Sequence, residues 1–495
     1  MSWRLRLVYA AGQLPEGIKS AAFGFFLLFY YNQVLGLSGS LAGLAVFVAL
    51  CLDAISDPIV GSWSDFAHSR WGRRHPFMYW AAIPFAASFF LLFVPPEGLN
   101  QTGLFIWLLV FASLTRTAMT FYAVPYLALG AELSRDYDER TLLAALRSVF
   151  MLVGMFAVLI LANMAFFGAT DEYPNGQLNP DAYLPFAIAC VPVMIGGIWV
   201  AAWGTHGEIS RLEQPAGPSR ALLHGVVQDV ITAFKIPAFI AVVAGSIMFS
   251  INQGMVQALH LYLATYFFEL SSAQVTGLFA GAIVGIILGS LASRPMAALI
   301  PEKRDLFIAG TVWYALWTSS VIIARLLGVL PGNEHPIVAP LYITTGCISA
   351  LGLGVAIPLI GSMIADITDE HERRHGQRQE GIYYAAGSLI SKAVGGAGPV
   401  LAGVIIDLSG IAPGSAPGEA APEAVARFLE QDRDRSKLTI STDGGGCLPS
   451  FDEQGELLKM GFASCSAMAE CLKAMLDGGL AEETVLPFMT SNVAR

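Results

Sequence analysis

The chain has 495 residues, of which 55% are apolar and 13% charged, and its formal net charge is −10. Soluble domains carry about 25% charged residues, so the chain has roughly half of what an aqueous surface needs, which excludes an ordinary soluble enzyme and a disordered chain. The acidic balance disfavours a nucleic-acid partner, which calls for a basic face, and what remains is an all-α polytopic membrane protein.

A bilayer core about 30 Å thick takes roughly 20 apolar helical residues to cross. Runs of that kind predict eleven spans, at 15–36, 41–64, 77–95, 103–130, 146–168, 184–204, 237–268, 273–293, 305–330, 337–365 and 381–406. The first lacks a small-residue cleavage site and carries Glu16, Lys19 and Asn32, so it reads as a span and not as a leader. Loops after even-numbered spans hold the basic residues, among them Arg70, Arg73, Arg74, Lys303 and Arg304, while loops after odd-numbered spans hold none. That asymmetry predicts a cytoplasmic N-terminus in a cell's inner membrane. The long connection 205–236 separates a first half of six helices (1–204) from a second half of five (237–410). Paired six-helix halves with a midplane site are a transporter plan, and by that plan a twelfth span is missing. Cys51, Cys190 and Cys347 lie singly in apolar runs, so no disulfide framework, metal site or cofactor is expected.

Ionisable residues inside spans are costly and point to function. In the second span, Asp53 and Asp57 are four apart and share one helix face. Either a bound Na⁺ or a shared proton relieves their repulsion, with Ser56 and a threonine from a neighbouring helix adding oxygens, or Asp57 sits at a turn broken by Pro58 while Asp53 pairs with a buried cation. Lys392 in the last span is a candidate partner for these acids. Arg116, Arg147 and Glu16 are weaker candidates for substrate or coupling roles, and Arg147 alternatively snorkels to the interface. Asn252, Gln253, Gln257 and His260 make a polar stripe on the seventh span, either lining a solute path or bonding helices together. Tyr30, Tyr31, Tyr262 and Tyr266 either stack on a solute or pack. Asp65 with Arg73 and Arg74, and Asp366 and Asp369 with Arg378, place both signs at inner helix ends, as a cytoplasmic gate or as topology signals alone.

Three segments, Tyr31-Asn32-Gln33-Val34-Leu35-Gly36, Asp53-Ala54-Ile55-Ser56-Asp57-Pro58 and Arg70-Trp71-Gly72-Arg73-Arg74, resemble the glycoside–pentoside–hexuronide:cation symporters. These form the melibiose-permease-like branch of the major facilitator superfamily, and Met363-Ile364-Ala365-Asp366, Arg378-Gln379-Glu380-Gly381 and Lys392 resemble their second-half signature. The resemblance implies a major facilitator fold, alternating access, and a cation site at Asp53, Ser56, Asp57 and Thr120. It also implies a lysine at 392 linked to that site and an arginine at 147 near the sugar. One ligand position, usually Asn, is Ser56 here, which leaves H⁺, Li⁺ and Na⁺ open. Acidic sugar-contacting residues of that family stand where this chain has Gly17 and Ala123, with Glu16 a possible replacement for the first, and a stacking tryptophan stands where it has Leu127.

Residues 411–429 form a Pro/Gly/Ala linker. Residues 430–495 are too polar to span a membrane and resemble a late fragment of isoaspartyl dipeptidase, with Asp443 matching a barrel-strand aspartate. No histidine follows, so neither zinc binding nor peptidase activity is expected. With eleven spans the tail would leave on the outer face. The sequence therefore predicts a monomeric secondary transporter, not an enzyme, whose partners are a small solute, a coupling cation (H⁺ or Na⁺) and the bilayer. The solute is a sugar or glycoside; alternatives are a dipeptide-like solute or a non-functional fusion product.

Overall fold

The computed structural model describes residues 1–211, 237–375 and 394–409, apart from positions 68, 135, 171, 172, 174, 301 and 334, together with residues 440–441, 448–451 and 457–461. A backbone in hydrocarbon must satisfy its own hydrogen bonds, so the apolar runs fold as helices. A short helix α1 (Trp3–Ala11) precedes α2, which starts at Leu14–Ala21 and runs without a break to residue 34. Along the way it widens into π turns at Ala22–Phe26 and Tyr30–Val34. Then come α3 (Gly39–Phe66), α4 (His75–Leu92), α5 (Gln101–Glu132), α6 (Tyr137–Phe156, continued to Ala165) and α7 (Tyr183–Thr205). The second half has α8 (Pro237–Tyr262, continued to Phe267), α9 (Ser272–Leu299), α10 (Lys303–Leu326), α11 (Val338–His375) and α12 (Ala397–Ser409).

Among the described residues, nine helices are long and apolar enough to cross a membrane. The π-interrupted α2 is the expected first span, and α12 is the described part of the last; residues 376–393, with Arg378 and Lys392, lie outside the described residues. Two spans run beyond their apolar cores. Helix α6 begins at Tyr137, not near 146, because the Asp136 carboxylate accepts from Glu139 N at 3.0 Å and starts the helix in polar sequence. Helix α11 continues to His375, past the expected 365.

The helices alternate between two ends. The proximal end holds α1 and the described parts of the loops after α3, α5, α7 and α9; the distal end holds the described parts of the loops after α2, α4, α6, α8 and α10. Large apolar side chains such as Trp80, Leu161 and Leu291 face outward, as a bilayer requires. Inside, one apolar cluster crosses both halves, with Phe26, Phe29, Tyr262, Leu278 and Phe279 in it. A smaller one, around Leu306, Phe307, Leu353 and Ala356, lies within the second half. In the tail, three short strands, β1 (Ile440–Ser441), β2 (Leu448–Phe451) and β3 (Leu457–Gly461), form a sheet in the order β1-β3-β2, with β1 parallel and β2 antiparallel to β3.

At the proximal end Arg6 grips Glu139 with two bonds of 2.7 Å, fastening α1 to α6. The hydrogen bond from Arg6 holds the Glu139 carboxyl below the usual carboxylate range. A depressed carboxylate contributes stability above its ordinary pKa and loses it as pH falls through the folded value. Glu139→Gln is therefore expected to lower the thermal midpoint of the detergent-solubilised protein at pH 7. The gap to wild type should close as the sample is acidified below about pH 4.

Candidate functional site

Halfway along α3, the sequence Leu52-Asp53-Ala54-Ile55-Ser56-Asp57-Pro58 turns both carboxylates toward α5. Pro58 has no N–H, so the carbonyl of Ala54 loses its helical donor beside the acids. Across the gap, the buried Thr120 hydroxyl lies 2.7 Å from Asp53 Oδ1 and 3.0 Å from Asp57 Oδ1. Ser56 Oγ donates to the Asp53 carbonyl at 3.0 Å and lies 3.5 Å from Thr120 Oγ1. The four residues expected to hold a cation are thus brought together.

A threonine hydroxyl has one proton to give. Two carboxylate oxygens within bonding distance of it share that proton only in a bifurcated bond. A proton on one carboxyl, or a cation beside the oxygens, would add what one hydroxyl supplies only in part. Oxygens so placed can hold one small hard cation or share one proton.

One turn before Thr120 on α5 stands Arg116. Its Nη1 lies 3.7 Å from Asp53 Oδ2, its guanidinium sits 5.0 Å over the Phe23 ring, and its Nε is buried without an acceptor. The sequence reading assigned the acids' cationic partner to Lys392, which lies outside the described residues; Arg116 is a partner it underweighted. The i, i+4 spacing of Arg116 and Thr120 was the available signal.

The solute-side candidates divide. Glu16 Oε1 pairs with Lys19 at 2.9 Å and accepts from Ser20 Oγ at 3.2 Å, one local cluster on α2. Gly17, where the resembling family has an acid, packs so closely on α6 that a Cβ would overlap the Met151 carbonyl. A side chain at 17 would require α2 and α6 to move apart. Arg147 donates to the Tyr9 hydroxyl at 3.4 Å, its Nε is buried without an acceptor, and Tyr9 stacks on Tyr126. Two residues of the stripe on α8 meet α2: Gln257 Oε1 occupies the space beside Gly24, and His260 meets Phe25 edge-on while stacking on Phe279 of α9. Asn252 is half-buried on the same helix. The tyrosines pack. Tyr30 and Tyr31 donate to the carbonyls of Phe93 and Leu92, while Tyr262 and Tyr266 donate to Asn32 and Gln33 across the halves.

At the proximal end the expected gate residues are engaged within their own halves. Arg73 and Arg74 both bond Glu132 Oε1, at 2.8 and 3.0 Å, and Arg74 also bonds Ser64. Lys303 bonds Asp366 at 2.6 Å. Glu132 and Lys303 were missed as partners because only folding brings helix ends together. Asp65 and Asp369 lie on α3 and α11, with side chains outside the described set, as is Arg378.

Comparison with known proteins follows the same outline. Residues 8–429 match the family described as MFS/sugar transport protein, and the tail beyond has no counterpart in that match. An uncharacterized symporter of Synechocystis sp. is 27% identical, over 84% of this chain and 87% of its own. The isoprimeverose transporter of Lactiplantibacillus pentosus is 24% identical, over 82% of this chain and 81% of its own. A solved D-xylose-proton symporter shares the fold, with a TM-score of 0.55 at 16% identity, covering 80% of this chain and 90% of that one.

The Gly17 packing is open to test. Gly17→Ala is expected to destabilise the detergent-solubilised protein by about 1–3 kcal/mol, the usual range for overpacking, read as a lowered thermal midpoint.

Proposed function

The chain belongs to the MFS/sugar transport protein family, and from that membership we propose that it couples uptake of a sugar or glycoside to H⁺ or Na⁺ at Asp53 and Asp57. It is a membrane transporter, not an enzyme. The observation that carries the coupling site is the single Thr120 hydroxyl set between two carboxylate oxygens. Loading a proton or cation there removes a charge repulsion inside the membrane, so occupancy stabilises one arrangement of the helices over another. The relatives named for isoprimeverose and for D-xylose with protons support a sugar as the solute and leave the cation open.

The basic loops support a cytoplasmic proximal end. With that orientation the conformation is inward-facing, since the hydrogen bonds described between the halves lie at the distal end. Arg147 is assigned to the solute side and Lys392 to coupling.

Asp53→Asn and Asp57→Asn are each expected to abolish accumulation driven by an imposed pH or Na⁺ gradient in proteoliposomes. A panel of pentoses and glycosides as labelled solutes would be the probe. Undiminished gradient-driven accumulation in both variants would overturn the site.

A further inference from the structure

The helix that carries the cation-site acids is capped by the other half of the molecule. Helix α3 begins at Gly39, and Ser38 occupies the position from which a serine ordinarily caps a helix by accepting from its first N–H groups. Ser38 makes no such bond. Asp407, near the end of α12, does it instead: its Oδ1 accepts from Gly39 N at 2.7 Å and its Oδ2 from Ser40 N at 2.8 Å. Ser38 Oγ is turned away as a donor to the same carboxylate, at 2.9 Å. The two helices touch backbone to backbone beside this point, where a Cβ on Gly403 would overlap the Gly39 carbonyl.

We propose that Asp407 and Ser38 are alternative caps of α3, exchanged as the distal end closes and opens, and that Asp407 is a positioning residue of the transport cycle. With the distal end closed, the Asp407 carboxylate completes the α3 terminus and complements the positive end of its dipole. When the halves part there, the Gly39 and Ser40 N–H groups lose that acceptor. The Ser38 hydroxyl, freed from donating to Asp407, rotates to accept from Ser40 N, and water takes the Gly39 N–H. Both caps are available without rebuilding the backbone, and Asp407 is solvent-exposed, so its bonds exchange with water at small net cost. The exchange also involves the helix bearing Asp53 and Asp57, which ties distal closure to cation occupancy through one rigid element. This inference rests on the alternating-access reading above.

Spin labels at Glu97→Cys and His335→Cys, exposed positions on distal loops of the two halves, would report distal opening by pulsed electron resonance in a background without other cysteines. Asp407→Asn is expected to shift the ratio of long to short distances about tenfold toward long, since cap and dipole terms sum to that order. Asp407→Glu should restore much of the short population. Ser38→Ala should shift the ratio the opposite way, because it removes the only side-chain cap of the open state, while the bond it removes from the closed state is an exposed one that water replaces at small cost. A damaged fold would not produce effects of opposite sign. Two populations in wild type that ignore Asp407→Asn, or that move the same way with Ser38→Ala, overturn the exchange while leaving alternating access intact. A single distance, unmoved by pH, Na⁺ or any sugar, overturns alternating access and this proposal with it.

Discussion

Two carboxylates one turn apart on a helix inside hydrocarbon cannot both remain charged without company, and the surroundings of α3 answer that constraint. Thr120 offers them a shared hydroxyl and Arg116 brings a guanidinium to 3.7 Å of Asp53. Pro58 opens the backbone beside them. This arrangement is sensitive to one proton or cation added beside the pair, since a neighbouring like charge raises a carboxylate's affinity for protons and a neighbouring cation lowers it. It is well suited to a site that is filled and emptied in turn.

The second organising element is the distal seam. Asn32, Gln33, Tyr262 and Tyr266 form one buried polar network across the halves, and Asn175 and Gly176 add bonds from the α6–α7 loop to Thr265 and Ser272. Buried hydrogen bonds of this kind specify one docking geometry, and each contributes modestly in a membrane. At the proximal end Arg73, Arg74 and Glu132 brace one half, and Lys303 and Asp366 the other, so each half keeps its own rim. Among the described residues, the hydrogen bonds between the halves lie on the distal side.

The positions of the spans were legible because hydropathy is a local property and the bilayer demands length. The Asp53–Asp57 pair was legible because a spacing of four is a geometric statement. Thr120 was reached through resemblance, since its distance in sequence from Asp53 carries no local signal. Asp407 was passed over as an acid at the end of an apolar run, where a carboxylate ordinarily meets water; its partners, Ser38, Gly39 and Ser40, become neighbours only when α12 lies along α3. The start of α6 was misplaced because apolar counting ignores a polar first turn held by an aspartate cap.

The π turns of α2 have a consequence for how its faces are assigned. Each accommodates one residue more than an α-helix would, and each residue turns the helix by about 100°. The first, at Ala22–Phe26, lies between Glu16 and the pair Asn32 and Gln33, which sit inside the second at Tyr30–Val34, so a helical wheel drawn from Glu16 misplaces that pair by about 100° or more. The same helix can therefore hold the Glu16–Lys19 pair among the helices of its own half and deliver Asn32 and Gln33 to Tyr262 and Tyr266 in the other. A chain of this kind carries two wheels in one rod, and a substitution scan along α2 would show its sensitive positions changing phase in mid-membrane.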